Sequence, residues 1–301
     1  MSLLVTGTVG IDTVETPQTR VDDVLGGSAF HFALAAGLIH PVRLVAVVGD
    51  DFPPAMVRFF EGRSIDTSGL EVRRGSKTFR WHGKYHDDMN QRDSLRTDLN
   101  VIAEAPPPIP AHFRDSAYIF LGNTHPAVQR GFIEQFRGTK LIALDTMDLW
   151  INTTREELLQ TLRLVHGVIM NDGEARQLTD QREIVPAARE ILKMGPHFVA
   201  VKKGEHGAVL VTNDEIISLP AYPTLKVVDP TGAGDSFAGG MMAYLASVDR
   251  IDLAALRTGL AYGVCLASIC IEDFSSFALK AATHDDVNQR LATYRRMLTF
   301  D

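Results

Sequence analysis

Residues 229–240 read Asp-Pro-Thr-Gly-Ala-Gly-Asp-Ser-Phe-Ala-Gly-Gly and run straight into an apolar helical segment, 241–247. Gly232 and Gly234 carry no side chain to cover the backbone amides where that helix begins. Helix N-termini attract anions through unpaired N–H groups and the helix dipole, so Gly232, Ala233 and Gly234 read as a phosphate cradle. An acidic residue beside such a cradle asks for a reason. In the first turn, Asp235 can accept the proton of a hydroxyl while the three amides hold the charge on a transferred phosphoryl group. A tight turn followed by a dipole-favourable Asp accounts for the same residues without chemistry.

Outward from this run, short Val/Ile/Leu stretches alternate with longer segments of helical period, the pattern of a mostly parallel sheet covered by helices. Strands are read at 3–6, 43–48, 117–121, 140–144, 168–170 and 198–201, and helices at 27–39 and 52–61. Residues 207–220 read as a hairpin turning at Asn213 and Asp214. Two pieces break the α/β rhythm: 11–25, polar and β-branched, and 72–102, which alternates as a half-buried antiparallel ribbon with Phe79, Trp81 and Tyr85 on one parity. Together they predict a small sheet projecting from the core, with the Pro-rich stretch 106–110 as the stiff return.

Composition narrows the function classes. At 45% hydrophobic and 22% charged over 301 residues, the chain is one that builds a sizeable core. Its 30 Lys and Arg against 37 Asp and Glu leave a formal charge of -7, so a basic footprint for nucleic acid or an anionic membrane is missing. The two cysteines, Cys265 and Cys270, fit neither a redox pair nor a zinc cluster and read as buried free thiols in a reducing compartment. A strand-like N-terminus without a signal pattern, and no run of about 18 apolar residues, predict a soluble cytoplasmic protein.

With these residues in view, the chain resembles the ribokinase-like (PfkB) family of carbohydrate and nucleoside kinases, whose C-terminal signature is closely matched by 229–240. The resemblance runs end to end. It implies a ribokinase-like three-layer α/β/α domain with a mostly parallel central sheet and a small β-sheet lid, spanning 1–301 with lid segments at about 11–25 and 72–102. In that pattern Asp235 takes the position of the catalytic base, and Gly232, Ala233 and Gly234 that of the anion hole. Asp229 and Thr231 fall where some members bind a monovalent cation such as K⁺, and Thr231 also borders the nucleotide. Asn171 and Glu174 match the family's NxxE pattern, associated with phosphate and with Mg²⁺ held through water, although helix capping explains the pair equally well. Lys202, Gly204 and Gly207 fit a KxGxxG variant near the phosphates of ATP. Lys203 has the opposite strand parity, and the sequence leaves open which ammonium faces the nucleotide.

On the acceptor side, the resemblance assigns Asp12 to vicinal hydroxyls of the substrate, and Gly26 and Gly27 to a close-approach point below the lid. His31 stands where many sugar kinases have a sugar-binding Asn, as a hydroxyl ligand, a base-stacking ring or an ordinary partly buried residue. Asn123 is placed where the substrate pocket closes. A carboxylate at Asp12 with no basic group beside it suits a neutral polyol and disfavours a sugar phosphate.

The implied activity is transfer of the γ-phosphoryl group of Mg-ATP to a hydroxyl of a small ribose-bearing substrate, leaning to a nucleoside, with a free-sugar kinase as the alternative. A hydroxymethylated vitamin-precursor kinase and a non-catalytic ligand sensor stand further off. The lid is a candidate pairing surface for a homodimer. His82 and His86 with Asp87 and Asp88 imitate a metal cluster, but an i, i+4 pair on a strand is about 13 Å apart. Walker, dinucleotide-binding and protein-kinase signatures are missing.

Overall fold

The computed structural model describes residues 1–299. Thirteen strands form two sheets: β1 (Leu3–Thr6), β2 (Gly10–Glu15), β3 (Arg20–Gly26), β4 (Val42–Gly49), β5 (Ile65–Arg73), β6 (Phe79–Tyr85), β7 (Arg92–Asp98), β8 (Tyr118–Leu121), β9 (Leu141–Leu144), β10 (Gly167–Asn171), β11 (Phe198–Lys202), β12 (Ala208–Thr212) and β13 (Ile216–Leu219). The large sheet has the order β13-β12-β11-β10-β9-β8-β1-β4-β5, parallel except for the β11-β12-β13 meander. The expected hairpin over 207–220 is the β12–β13 pair of that meander.

Both faces of the sheet are buried, which is why its strands read as continuous apolar runs. Leu3 and Val5 face one core, with Phe30, Phe237 and Leu260 from helices Ser28–Ala36, Ala233–Val248 and Leu253–Cys270. Leu4 faces the other, with Phe132, Leu158, Leu178 and Ile191 from helices Pro126–Ile133, Arg155–Leu162, Asp172–Thr179 and Ile184–Lys193. This is the three-layer α/β/α arrangement expected. Helix Leu253–Cys270 is long and apolar enough to cross a membrane by composition, but it is largely buried against Ala233–Val248 in this core. Cys265 and Cys270 are free and buried.

The small sheet, ordered β3-β2-β6-β7, is the lid. Its β2–β3 and β6–β7 pairs are antiparallel hairpins joined by a parallel β2–β6 pairing. The structure differs from the sequence reading in four places. The ribbon starts at Phe79, because residues 72 and 73 still belong to β5. β7 is an edge strand, exposed from Arg92 to Thr97 rather than half-buried. The helix read at 52–61 shrinks to Pro54–Val57, and the one at 27–39 to Ser28–Ala36, where Gly37 ends it.

The parallel strands end together. Following β1 the chain enters the lid; Asp145 follows β9, and Asn171 and Lys202 are the last residues of β10 and β11. In doubly wound sheets the crevice beyond the carboxyl ends of the strands, near the point where strand order reverses, is where ligands bind. That point lies here at β1, flanked by β8 and β4.

Candidate functional site

The glycine run forms the N-terminus of helix Ala233–Val248, and Gly232 turns into it with a φ of 76°. That conformation favours glycine, and a β-carbon at Gly232 would also strike the His31 ring at 2.2 Å. The Ala233 amide is already committed, donating to the Pro230 carbonyl at 3.1 Å. The Gly232 and Gly234 amides have no acceptor among the described residues, while the Asp235 amide turns to its own carboxylate, so of the three amides expected to form the cradle two are open.

Asp235 lies in the first turn of the helix, facing the strand ends. Burial and the neighbouring Asp145 carboxylate push its pKa up to about 7, against the pull of Lys202 and Arg92. Of the two adjacent lysines, Lys202 is the one that enters the site. Its Nζ lies 3.6 Å from Asp145 Oδ2, and a β-carbon on Gly234 would stand 2.8 Å from it. Burial disfavours the ammonium, yet Asp145, Glu174 and Asp235 hold its pKa above the usual lysine value.

Asn171 caps helix Asp172–Thr179 by accepting from the Glu174 amide at 2.8 Å, while Glu174 Oε2 accepts from the Asn171 amide at 2.8 Å. The capping box is therefore formed, and it uses only one oxygen of Glu174. Oε1 accepts no hydrogen bond from the described residues. Burial, then Asp145, pushes the Glu174 carboxyl up to about 8. Asp145, Glu174 and Asp235 thus share a crevice in which Lys202 and the lid residue Arg92 are the opposing charges. Excess buried negative charge with a free carboxylate oxygen fits a hydrated Mg²⁺, which is usually held through one or two carboxylates and phosphate oxygens.

Across the crevice, Asp12 extends from β2 with 4% of its surface exposed. Its Oδ1 has no hydrogen-bond partner in the protein, and burial, then Asp229 and Asp235, push its pKa up to about 8. Gly26 makes room for it: a β-carbon there would lie 1.8 Å from Asp12 Oδ2. Gly27, at φ 100°, brings the start of helix Ser28–Ala36 to within 2.4 Å of the Thr8 carbonyl, measured from where its β-carbon would sit. In the parallel β2–β6 pairing Asp12 is in register with Trp81, so the two side chains share a lid face. Tyr85 belongs to the same face, packed on Val14 and Val24, and its hydroxyl accepts from Thr231 Oγ1 at 3.2 Å. At the lid tip Asn90 donates to Glu205 Oε1 at 3.3 Å, so the lid spans the crevice from the glycine run to the Gly204 turn.

Several expected residues are placed differently. His31 is fully buried, its Nδ1 2.7 Å from Ser276 Oγ and its Nε2 without a partner, and burial lowers its pKa to about 4. It supports the glycine turn from beneath. Asn123 donates to Met147 Sδ and accepts from Trp150 Nε1 at 2.8 Å, so both ends of its amide are held within the fold. Asp229 accepts the Thr231 amide on one oxygen and the Ser275 amide on the other, both at 2.8 Å. Gly207 brings the turn after Lys202 against the Leu219 carbonyl. The His82 and His86 rings turn to separate acids, Glu15 and Asp93, and no metal-holding cluster of His, Cys, Asp and Glu occurs among the described residues.

Two site residues escaped the sequence reading. Asp145 directly follows a predicted strand, as Asn171 and Lys202 do, and that shared position was the available signal. Arg92 lies across from Tyr85 on β7, and its guanidinium stands 5.7 Å from the Trp81 ring centroid. Only the folding of the lid over the crevice brings its charge to the site carboxylates.

Comparison with known proteins identifies the family. Residues 133–279 match the model of the pfkB family carbohydrate kinases. The cytidine kinase of Thermococcus kodakarensis is 30% identical over 254 residues, covering 81% of this chain and 88% of that one. The 2-dehydro-3-deoxygluconokinase of Thermoproteus tenax is 28% identical over 267 residues, 80% of each. In fold, the crystal structure of the Methanocaldococcus jannaschii nucleoside kinase superimposes with a TM-score of 0.77 at 22% identity, covering 97% of this chain and 99% of that one. Kinases of this family use ATP with Mg²⁺. This chain belongs to the PfkB family and is a phosphotransferase that takes an alcohol group as its acceptor.

Proposed function

We propose that the chain acts as one kinase domain that transfers the γ-phosphoryl group of ATP to a hydroxyl of a nucleoside. The observation that carries the acceptor class is the pairing of Asp12 with Trp81 on the inner lid face. A ribose diol donates to the unpartnered Asp12 carboxylate while an aromatic surface lies beside it for the base. Asp229 and Asp235 are the charges acting on Asp12, and both repel an acceptor that already carries phosphate. The similarity to a cytidine kinase and to a nucleoside kinase fold supports the same reading. A free sugar, for which the 2-dehydro-3-deoxygluconokinase likeness speaks, is the second reading.

In the proposed mechanism Asp235 removes the proton of the acceptor hydroxyl, whose oxygen attacks the γ-phosphorus as the bond to the β-phosphate oxygen of ADP breaks. A base near pH 7 is well matched to that task. The Gly232 and Gly234 amides and the Lys202 ammonium receive the charge on the transferred group. Glu174, through its free oxygen and water, would hold Mg²⁺, which when bound neutralises charge on the phosphate oxygens. The lid, held down through Tyr85 and Asn90, excludes bulk water.

The test is ADP release from Mg-ATP against a panel of nucleosides, pentoses, hexoses and inositols, with Asp235→Asn as the blank. Turnover confined to nucleosides is expected; saturation by simple hexoses with no nucleoside turnover overturns the acceptor assignment. Replacing K⁺ by choline in the same assay reads the monovalent cation assigned to Asp229. The exposed β7 edge is the surface we assign to a second copy of the chain, read by sedimentation with and without a proline at Ser94.

A further inference from the structure

Lys202 and Asp145 end strands β11 and β9, and their side chains meet over the end of the intervening β10. Asp145 is fastened on one side only: Oδ1 accepts the Thr146 amide at 2.9 Å, and Oδ2 faces the ammonium. At 3.6 Å this is a charge contact rather than a short hydrogen bond, and it leaves the three donors of Nζ largely unspent. Those donors lie against Gly234, where even a β-carbon would come within 2.8 Å. The Gly234 amide, also without an acceptor, belongs to the same residue. A purely structural buried ion pair satisfies its donors within the fold; this one holds them out toward the helix N-terminus.

A lysine in such a place needs a partner for two reasons. Its four-carbon stem is flexible, and burial drives an isolated ammonium to lose its proton. The groups facing it are Asp145 after β9, Glu174 on helix Asp172–Thr179 and Asp235 on helix Ala233–Val248, with Arg92 of β7 completing the charges around the carboxylates. Among the described residues, Asp145 is the carboxylate that comes within 4 Å of Nζ. Glu174 is engaged in its capping box, and Asp235 is assigned to the acceptor proton.

We propose that Asp145 is a positioning residue for phosphoryl transfer: it holds the Lys202 ammonium against Gly234, where that ammonium meets the oxygens of the γ-phosphoryl group. The proposal rests on the reading of residues 232–235 as the anion hole. Neither Lys202 nor Asp145 exchanges a proton with the substrate in this role.

The test uses the full chain with Lys202→Met, Asp145→Asn, the double variant and Asp145→Glu. Asn keeps an acceptor for the Thr146 amide, and Met keeps the length of the lysine stem. Binding of Mg²⁺ with a β,γ-imido ATP analogue, against Mg-ADP, is measured by calorimetry and needs no acceptor. It therefore answers even if no nucleoside is turned over. Lys202→Met is expected to lose about tenfold or more of its preference for the analogue over ADP, and Asp145→Asn to lose preference in the same direction. With an acceptor, Lys202→Met lowers kcat about 100-fold, the scale of one lost oxyanion donor. Asp145→Asn lowers it about tenfold at unchanged acceptor KM. Added to Lys202→Met, Asp145→Asn costs nothing further, because it acts through the lysine. Asp145→Glu, which restores the charge, recovers part of the loss. Equal weakening of analogue and ADP, a full additional loss in the double variant, or a Glu variant no better than Asn overturns the proposal. A wild-type chain that binds the analogue no better than Mg-ADP removes the anion-hole reading instead.

Discussion

Gly26→Ala displaces Asp12 without altering its charge. Gly26 lies opposite Gly10 at the end of β3, and the added β-carbon would stand 1.8 Å from Asp12 Oδ2 and 2.1 Å from its Cγ. β-Carbon contacts do not fall below 3.0 Å, so the carboxylate has to withdraw by about 1.2 Å. Nothing in the protein holds its Oδ1, so the carboxyl swings away rather than forcing the backbone apart. A misplacement of about 1 Å in a group that orients substrate costs on the order of 100-fold in rate. The expected outcome is a fall of about that size in kcat/KM for the acceptor, with the affinity for a Mg-ATP analogue changed less than about twofold. Overpacking of this kind costs about 1–3 kcal/mol, a few degrees in Tm. The assay varies the acceptor at saturating Mg-ATP, follows ADP release, and measures analogue binding by calorimetry. A folded Gly26→Ala enzyme with unchanged acceptor kinetics would refute the placement of Asp12 at the acceptor; equal losses for acceptor and nucleotide would show a general disturbance of the crevice.

Four further outcomes follow from the same geometry. Asp235→Asn lowers kcat by about 100-fold or more while a Mg-ATP analogue still binds, and near wild-type turnover would remove Asp235 from the mechanism. Because burial and Asp145 raise Asp235 to about 7, kcat/KM is expected to rise with pH through about 7 and to fall about tenfold per unit on the acid side; a rate flat from pH 5 to 8 contradicts this. Glu174→Gln keeps the capping box, since Gln serves at that helix position as Glu does, yet raises the Mg²⁺ concentration needed for half-maximal rate; an unchanged metal dependence would sink the assignment. Asp12, at about 8 in the fold against 3.8 as a free side chain, favours the folded state while protonated. Its contribution is full below about pH 4 and is lost as pH rises through 8, on the order of 1 kcal/mol per unit. The ligand-free enzyme should therefore melt at lower temperature at pH 8 than at pH 5, with a flatter slope in Asp12→Asn.

The degree to which the site could be read from the chain follows how local each cause is. The strand ends, the glycine turn and the capping box at Asn171 depend on neighbours a few residues away, so the pattern of 229–240 and the NxxE pair led directly to them. The register of Asp12 beside Trp81 did not follow from either segment alone, because β2 and β6 pair in parallel across sixty-odd residues of intervening chain. Long-range burial also decided what the lone polar residues do. His31, Asn123 and Asp229 look available in sequence, and tertiary contacts with Ser276, Trp150 and Ser275 occupy them.

The amino-acid sequence by itself determined the family, the α/β layering and the helix N-terminus that carries Asp235, since apolar periodicity and glycine positions act within single elements. Which charges share the crevice was decided only by the tertiary structure. Asp145 and Lys202 approach because β9 and β11 flank β10, and Arg92 joins them because the lid folds across. Coulomb forces in a buried site depend on distance through space and on excluded water, and neither is written in the spacing of residues along the chain.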